Sequence, residues 1–186
     1  MTPITVDELM ACTGAARARA EPAIAGAVRA MALYDINTPA RAGMFLANVG
    51  HETGGLKWLR EIWGPTSAQS RYEGRRDLGN TQPGDGKRFM GRGWFQTTGR
   101  SNYTQLRDRL RERFPDLDVP DFVAEPERLE LPEWAPLSAA DYVGMRNLNR
   151  HADRGAFVDY VKAVNGGTNG MDRRLRLWYA SQKALA

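Results

Sequence analysis

The segment Thr38-Pro39-Ala40-Arg41-Ala42-Gly43-Met44-Phe45-Leu46-Ala47-Asn48-Val49-Gly50-His51-Glu52-Thr53-Gly54-Gly55 opens like a helix and closes like a loop. Thr38 offers a side-chain oxygen to an unpaired backbone N–H, and Pro39 suits the first helical position, where no N–H is needed. Ala42, Phe45, Leu46 and Val49 then recur at i, i+3, i+4 and i+7, the spacing of one apolar helical face. That face runs directly into Glu52, so a carboxylate stands where a buried helix gives way to a glycine turn. A glutamate at a helix end is by default a surface residue. The apolar face before it and the room left by Gly54 and Gly55 after it distinguish this one.

Working outward, Thr5 and Glu8 have the spacing of a capping box and predict a short helix through Val6, Leu9 and Met10. The alanine-rich residues 15–34 place Ile24, Val28, Met31 and Leu33 in an expected buried stripe. Over residues 64–99 the helical period is lost. Glycine, proline, Asn80 and Asp85 recur there, and Tyr72, Phe89, Trp94 and Phe95 predict short strands between loops. So long an irregular stretch in a compact domain is unusual unless it does work. Helices resume at Ser101 with Tyr103, Leu106, Leu110 and Phe114, and Pro115 and Pro120 break the pattern. Another helix is expected to open at Ser138, capped with Asp141. One through Phe157, Val161 and Val164 ends at Asn165-Gly166-Gly167, and a last one follows Asp172 with Leu175, Trp178 and Tyr179. With no repeat and no low-complexity linker, residues 1–186 are expected to form one domain of two helical lobes around a loop-rich centre.

The 186 residues are 42% hydrophobic and 26% charged, with a net charge of +4 and a pI near 9.5. That balance suits an anionic partner, and equally a solvated arginine-rich surface. The arginines scatter from Arg17 to Arg176 among acidic residues, which argues against a nucleic-acid groove. Cys12, the single cysteine, excludes an intramolecular disulfide. The two histidines, His51 and His151, do not form a His-Glu-x-x-His pair. Gly84-Asp85-Gly86-Lys87 and Asn165-Gly166-Gly167 match neither phosphate-cradling nor dinucleotide patterns. No metal or other cofactor is expected. Nor does any apolar run reach bilayer length, and the N-terminus lacks a basic segment followed by an apolar one. The chain is therefore expected in the cytoplasm of the cell that makes it, without stable membrane insertion.

One chemistry that uses such a glutamate is glycosidic hydrolysis, with one carboxyl protonating the leaving oxygen and a second activating water or attacking the sugar. Glu52 is the candidate donor. The second carboxylate has three nearby candidates, Glu61, Glu73 and Asp77. Glu61 lies in the aromatic run Trp58-Leu59-Arg60-Glu61-Ile62-Trp63, although Lys57 at i−4 offers a plain salt bridge. Glu73 is flanked by Arg71, Arg75 and Arg76, which could hold it as a structural ion pair. The sequence leans only weakly to Glu61.

Three segments in order then carry a resemblance: His51-Glu52-Thr53-Gly54-Gly55, Gly91-Arg92-Gly93-Trp94-Phe95-Gln96-Thr97-Thr98-Gly99-Arg100-Ser101-Asn102-Tyr103, and Val164-Asn165-Gly166-Gly167. Together, from about Ala40 to Tyr179, they resemble glycoside hydrolase family 19, the chitinase-like family that includes many bacteriophage endolysins. Tyr72-Glu73-Gly74-Arg75-Arg76-Asp77-Leu78-Gly79-Asn80, followed by Gly84-Asp85-Gly86, is similar to the phage and prophage branch.

The resemblance implies a mainly α, lysozyme-like, two-lobed helical domain with a small β/loop-rich region lining a central cleft, and no separate wall-binding domain. It places the general acid on Glu52. The base falls on Glu61 by the spacing of compact bacterial members, and near Glu73 by that of plant-like ones; if not the base, Glu73 is grouped with substrate-binding residues. The implied mechanism is inverting, with the carboxyls about 6.5–9.5 Å apart. One continuous helix from Glu52 to Glu61 would separate their α-carbons by roughly 13.5 Å, so the chain is expected to turn between them. Thr98 matches a hydroxyl that orients the attacking water. Gln96, Asn102 and Asn165 match amides that bind sugar N-acetyl and hydroxyl groups, as their donor and acceptor pairs suit. Arg173 matches a basic residue near the carboxylates, and His51 is expected to orient rather than transfer a proton. Trp94 either stacks on a sugar ring or fills the core. The implied activity is endolysin-type cleavage of β-1,4 bonds in the peptidoglycan glycan strand, by a monomer held in the host bacterial cytoplasm until another factor releases it. The alternatives are a chitinase acting on β-1,4-linked N-acetylglucosamine and a non-catalytic glycan-binding module.

Overall fold

In a computed structural model describing residues 1–186, ten α-helices carry the fold. In chain order they are α1 (Val6–Thr13), α2 (Arg17–Leu33), α3 (Pro39–Glu52), α4 (Ser67–Ser70), α5 (Asp85–Arg88), α6 (Arg100–Arg113), α7 (Ala135–Met145), α8 (Asn149–Asp153), α9 (Phe157–Asn165) and α10 (Met171–Ala184). Short 3-10 turns cover Arg76–Leu78 and Pro126–Glu130. No helix is long and apolar enough to cross a membrane.

The helix starts follow local chemistry. Thr5 and Glu8 make both contacts of the capping box, and the Thr38 hydroxyl accepts from Arg41 N at 3.2 Å. The αL residue Gly166 ends α9. Two starts differ from expectation. Helix α7 begins at Ala135, so Ser138 and Asp141 lie inside it rather than at its cap. Both are buried, and each has a partner. Ser138 Oγ donates to Ala135 O at 2.9 Å, and Asp141 accepts from Tyr34 Oη at 2.8 Å and from Arg109 Nε at 3.0 Å. Helix α8 has no counterpart in the sequence reading.

Helix α3 is the hub, packed against α1, α8, α9 and α10. Ala42, Phe45, Leu46 and Val49 are fully buried, and so are Met44, Ala47 and Asn48 on the other faces. The amphipathic expectation thus understated its burial. Each fully buried large apolar side chain contributes about 1.5–3 kcal/mol relative to exposure. Two glycines permit the closeness. A Cβ on Gly50 would lie 2.3 Å from Thr13 O of α1, and one on Gly43 would lie 2.6 Å from Ser181 Oγ of α10. The first lays α1 and the second the far end of α10 against α3, and the His51 ring against Gly170 brings the start of α10 beside the last turn of α3.

Helix α2 joins this group to α7, and α6 packs on α7. The buried face of α2 is made by Ala20, Ala23, Ala27, Ala30 and Met31, whereas the expected Ile24, Val28 and Leu33 are only partly buried. Small residues win there because the approaching chain is too near for larger ones: a Cβ on Gly26 would sit 1.9 Å from Pro132 O.

The connection over residues 64–99 contains no extended strand. The predicted strands reduce to two isolated antiparallel bridges, Arg60 to Arg92 and Arg92 to Thr97. Trp94 is 1% exposed and packs on Phe45 at 6.0 Å between ring centroids. Phe95 continues the aromatic path from Phe45 (5.8 Å) to Tyr142 of α7 (5.9 Å). Anchored aromatics and hydrogen-bonded turns therefore hold this region in place of a sheet.

Candidate active site

Glu52 is the last residue of α3. One of its oxygens, Oε1, pairs with Arg174 Nη2, and no protein hydrogen bond reaches Oε2. The Arg174 guanidinium is 1% exposed. It also donates from Nη1 to Asn48 Oδ1 at 2.6 Å and from Nε to Asn169 O at 3.1 Å. A buried guanidinium with three acceptors in its plane is fixed in direction, and it fixes the carboxylate it holds. The neighbouring His51 ring covers Gly170, where a Cβ would come within 1.9 Å of ring Cε1. Burial first, then the Arg174 charge, lower the His51 pKa below its ordinary value, so the neutral ring is favoured.

The chain turns sharply after Glu52, with positive φ at Gly54, Gly55 and Leu56. It returns as the bridge between Arg60 and Arg92. That bridge positions Glu61, whose backbone N–H donates to Gly91 O at 2.9 Å. The Glu61 carboxylate accepts from Gly91 N at 3.2 Å and from Gln69 Nε2 at 3.0 Å. Gln69 is buried and uses its whole amide. Its other proton goes to Ile62 O at 2.8 Å, and its oxygen accepts from Gly64 N at 3.1 Å and Thr66 N at 2.7 Å. Burial first, and then the Glu61 charge, raise the pKa of the Tyr72 phenol.

Thr98 and Gln96 flank the same glycine: a Cβ on Gly91 would lie 2.7 Å from Gln96 Oε1 and 3.2 Å from Thr98 Oγ1. The Thr98 hydroxyl donates to Gln96 O at 2.8 Å, so its lone pairs remain able to accept. Gln96, Thr98 and Asn102 line a cavity of about 250 Å3 together with Tyr142. The Tyr142 pKa is raised by burial and then by the charge of Glu52, against the lowering effect of Arg146. A larger cavity of about 680 Å3 opens beside Glu61, walled by Trp58, Ile62 and Trp63.

The remaining expected site residues lie elsewhere. Glu73 accepts from Gly84 N at 2.6 Å and Gly86 N at 2.9 Å, so both oxygens clamp the loop that enters α5, and neither arginine nor Glu61 shares them. Asp77 is paired with Arg75. Trp94 is a core residue, 1% exposed, and lines neither of these two cavities. Asn165 is exposed at the end of α9 and lines neither cavity. Arg173 is exposed, and the arginine that touches Glu52 is its neighbour Arg174. Helical spacing carries that distinction: Arg174, Trp178 and Ser181 fall at i, i+4 and i+7 on the face toward α3, and Arg173 does not. Gln69 also had a signal, since Thr66-Ser67-Ala68-Gln69 has capping-box spacing and makes both of its contacts.

A helical domain thus holds two separately anchored carboxylates, Glu61 on the wall of the larger cavity and Glu52 at the end of α3, and a pair of carboxylates is what glycosidic hydrolysis requires. A glycosyl hydrolase family 19 domain-containing protein of Haemophilus influenzae is 26% identical over 164 residues, spanning 74% of this chain and 76% of its own length. No protein-family model matches the chain. Chitinase C from Streptomyces griseus superposes with a TM-score of 0.76 at 21% identity, covering 98% of this chain and 76% of that one. A bacterial family 19 chitinase superposes with a TM-score of 0.73 at 20% identity, over 98% and 95% of the two chains. Over about three quarters of its length the chain is thus similar to a family 19 glycosyl hydrolase domain protein, and its fold is that of the family 19 chitinases.

Proposed function

We propose that the protein is an endolysin-type peptidoglycan hydrolase that cleaves β-1,4 glycosidic bonds with inversion. The observation that carries this reading is the division of anchors between Glu52 and Glu61. Arg174 holds one oxygen of Glu52 and leaves Oε2 unbonded, which is where a proton for the leaving glycosidic oxygen would be carried. Glu61 is held by Gly91 N and Gln69 Nε2 and takes the role of base. A water donating one hydrogen to Glu61 and the other to Thr98 Oγ1 would direct its lone pair at the anomeric carbon. As the C–O bond breaks, the leaving oxygen takes the Glu52 proton and Glu61 takes one from the water, giving a product of inverted configuration. Gln96 and Asn102, in the 250 Å3 cavity, offer amide donors and acceptors to N-acetyl and hydroxyl groups. The enzyme works as a monomer on the glycan strand, needs no metal, and stays in the host bacterial cytoplasm until another factor gives it passage to the wall.

The likeness to solved chitinases favours a second reading, chitin oligomers as substrate, which the same cleft chemistry permits. One experiment addresses both. Wild type should clear permeabilised Gram-negative cells and release muropeptides with N-acetylmuramic acid at the reducing end by mass spectrometry. Glu52→Gln should slow clearing by about 10²–10⁴-fold, the usual scale of general acid catalysis. A variant that clears as fast as wild type would remove Glu52 from the chemistry. Turnover of chitin oligomers without clearing would select the chitinase reading.

A further inference from the structure

We propose that Lys57 and Lys87 make the 680 Å3 cavity beside Glu61 a subsite for a carboxylate-bearing substituent on the glycan, the acid of a muramic lactyl group or of the peptide it carries. The proposal rests on the glycan-hydrolase reading above and names what that cleft selects.

The cavity has the size of a small-ligand site, within the roughly 300–1,000 Å3 such sites span, and its walls are of two kinds. Trp58 is 45% and Ile62 68% exposed, so large apolar surface faces solvent at the rim. A Cβ on Gly54 would meet Trp58 Cδ1 at 2.9 Å, which fixes the indole against the turn that follows Glu52. An indole so placed can cover the apolar face of a sugar ring.

The charged lining is unbalanced. It comprises Lys57, Arg60, Lys87, Glu61 and Glu130. Glu130 is already committed: it accepts from the buried Arg92 Nε at 2.8 Å and lies 3.8 Å from Arg60 Nη1. Glu61 has its two neutral donors. Neither Lys57 nor Lys87 pairs with any carboxylate. The Lys57 ammonium instead sits over the Trp58 ring, 4.5 Å from the centroid, a cation–π contact that holds it at the cavity wall. Two ammonium groups without counter-ions, beside an exposed indole and next to the candidate base, complement an acidic sugar better than a neutral one. A chitin oligomer brings hydroxyl and N-acetyl groups only, whereas a muramyl glycan brings an acid on every second ring.

The test uses the full chain with Glu52→Gln, so that bound glycan is not cleaved, and isothermal titration at low ionic strength. The probes are chitotetraose, a muramyl tetrasaccharide with free lactyl acids, and the same tetrasaccharide carrying L-alanyl-D-glutamate stems. Each acid is also prepared as its neutral methylamide. At least one acid should bind about three- to tenfold tighter than its own methylamide, the scale of two partly exposed ion pairs, and which acid shows the gap tells the lactyl source from the peptide source. The gap should close in 0.5 M salt and vanish in Lys57→Gln/Lys87→Gln, with the methylamide and chitotetraose affinities unchanged. Equal binding of acid and methylamide by the parent would overturn the proposal. So would a double substitution that weakens neutral and acidic probes alike, since the lysines would then be serving the cleft in general. Hydrolysis by wild type is scored separately: a chain that discriminates acids but cleaves no glycan would refute the enzymatic reading and leave this one standing.

Discussion

Replacing Arg174 by Met tests whether the buried guanidinium is what holds the last turn of α3 and its carboxylate in place. Arg174 is 1% exposed and spans three acceptors: Asn48 Oδ1, Asn169 O and Glu52 Oε1. Methionine fills similar length but donates nothing. Asn48 is fully buried, and its oxygen has no other donor, so it would be orphaned, at about 1–3 kcal/mol. Removing one partner of a buried ion pair costs about 3–5 kcal/mol in all, a figure that already contains such orphaning. Glu52 keeps 25% exposure and recovers some hydration, which favours the lower end. At about 2–4 °C per kcal/mol for a domain of this size, Arg174→Met should melt about 6–12 °C below wild type by scanning calorimetry. Arg174→Lys, with a single point donor in place of a planar fork, should fall between the two. Measured well below both melting points, Arg174→Met should lower kcat at least tenfold with a smaller change in KM, because the substrate-lining residues are untouched while Glu52 loses its direction. A double-mutant cycle with Glu52→Gln should give a coupling of about 1–3 kcal/mol. An Arg174→Met protein melting within 2 °C of wild type would show that the guanidinium network is incidental.

The second carboxylate can be assigned by a pair of substitutions: Glu61→Gln should abolish turnover with glycan binding retained, whereas Glu73→Gln should chiefly loosen the loop clamped at Gly84 and Gly86, and the reverse order of damage would move the base to Glu73. Gln69→Leu, which removes the donor to Glu61 without touching the cleft, should lower kcat more than it raises KM; an unchanged kcat would show that Gln69 serves only the loop. Burial, and then the charge of Glu8, push the Cys12 thiol up from 9.0 to about 12. The folded chain therefore keeps a proton that the unfolded chain loses above pH 9, and this site lowers stability as pH rises from 9 towards 12 while contributing nothing below. Labelling of Cys12 by a thiol reagent at pH 8 should accordingly proceed at the rate of global unfolding, and rapid labelling of native protein would refute its burial.

The sequence made the helices legible where one residue type has one job. Thr5 with Glu8, Thr38 with Pro39, and Gly166 each act through their own backbone neighbours, and those contacts form wherever the rest of the chain lies. Features set by contact between distant segments were not legible. Nothing local says that Pro132 comes so near Gly26 that α2 must bury alanines, or that Ser138 and Asp141 sit within a helix because partners elsewhere satisfy them. The aromatics of residues 64–99 looked like strand residues because burial on alternating faces and burial against a central helix select the same side chains; Trp94 and Phe95 in fact pack on Phe45 and Tyr142.

The site divides along the same line. Glu52 could be singled out because its distinction is local, an apolar helix ending on a glycine turn. Its partner could be favoured only weakly as Glu61 over Glu73, because what separates them is who supplies their hydrogen bonds. Glu73 takes two N–H groups, from Gly84 and Gly86 at the entry to α5, and lines neither cavity. Glu61 is held from Gly91, across a bridge closed by the chain far downstream, and that bridge also brings Thr98 to within reach of the same glycine. The arginine was placed one residue early for a related reason. Arg173 and Arg174 are alike in composition, and only the phase of α10 against α3, packed closely at Gly43, turns the second inward. Those two glycines let α10 and α1 close on α3. Alanine at Gly50 would meet Thr13 O of α1 at 2.3 Å, and alanine at Gly43 would meet Ser181 Oγ at 2.6 Å, so at Gly43 either that side chain or the helix carrying Arg174 would have to shift. The candidate acid thus depends on close packing of α10 at Gly43 as well as on the guanidinium that α10 carries.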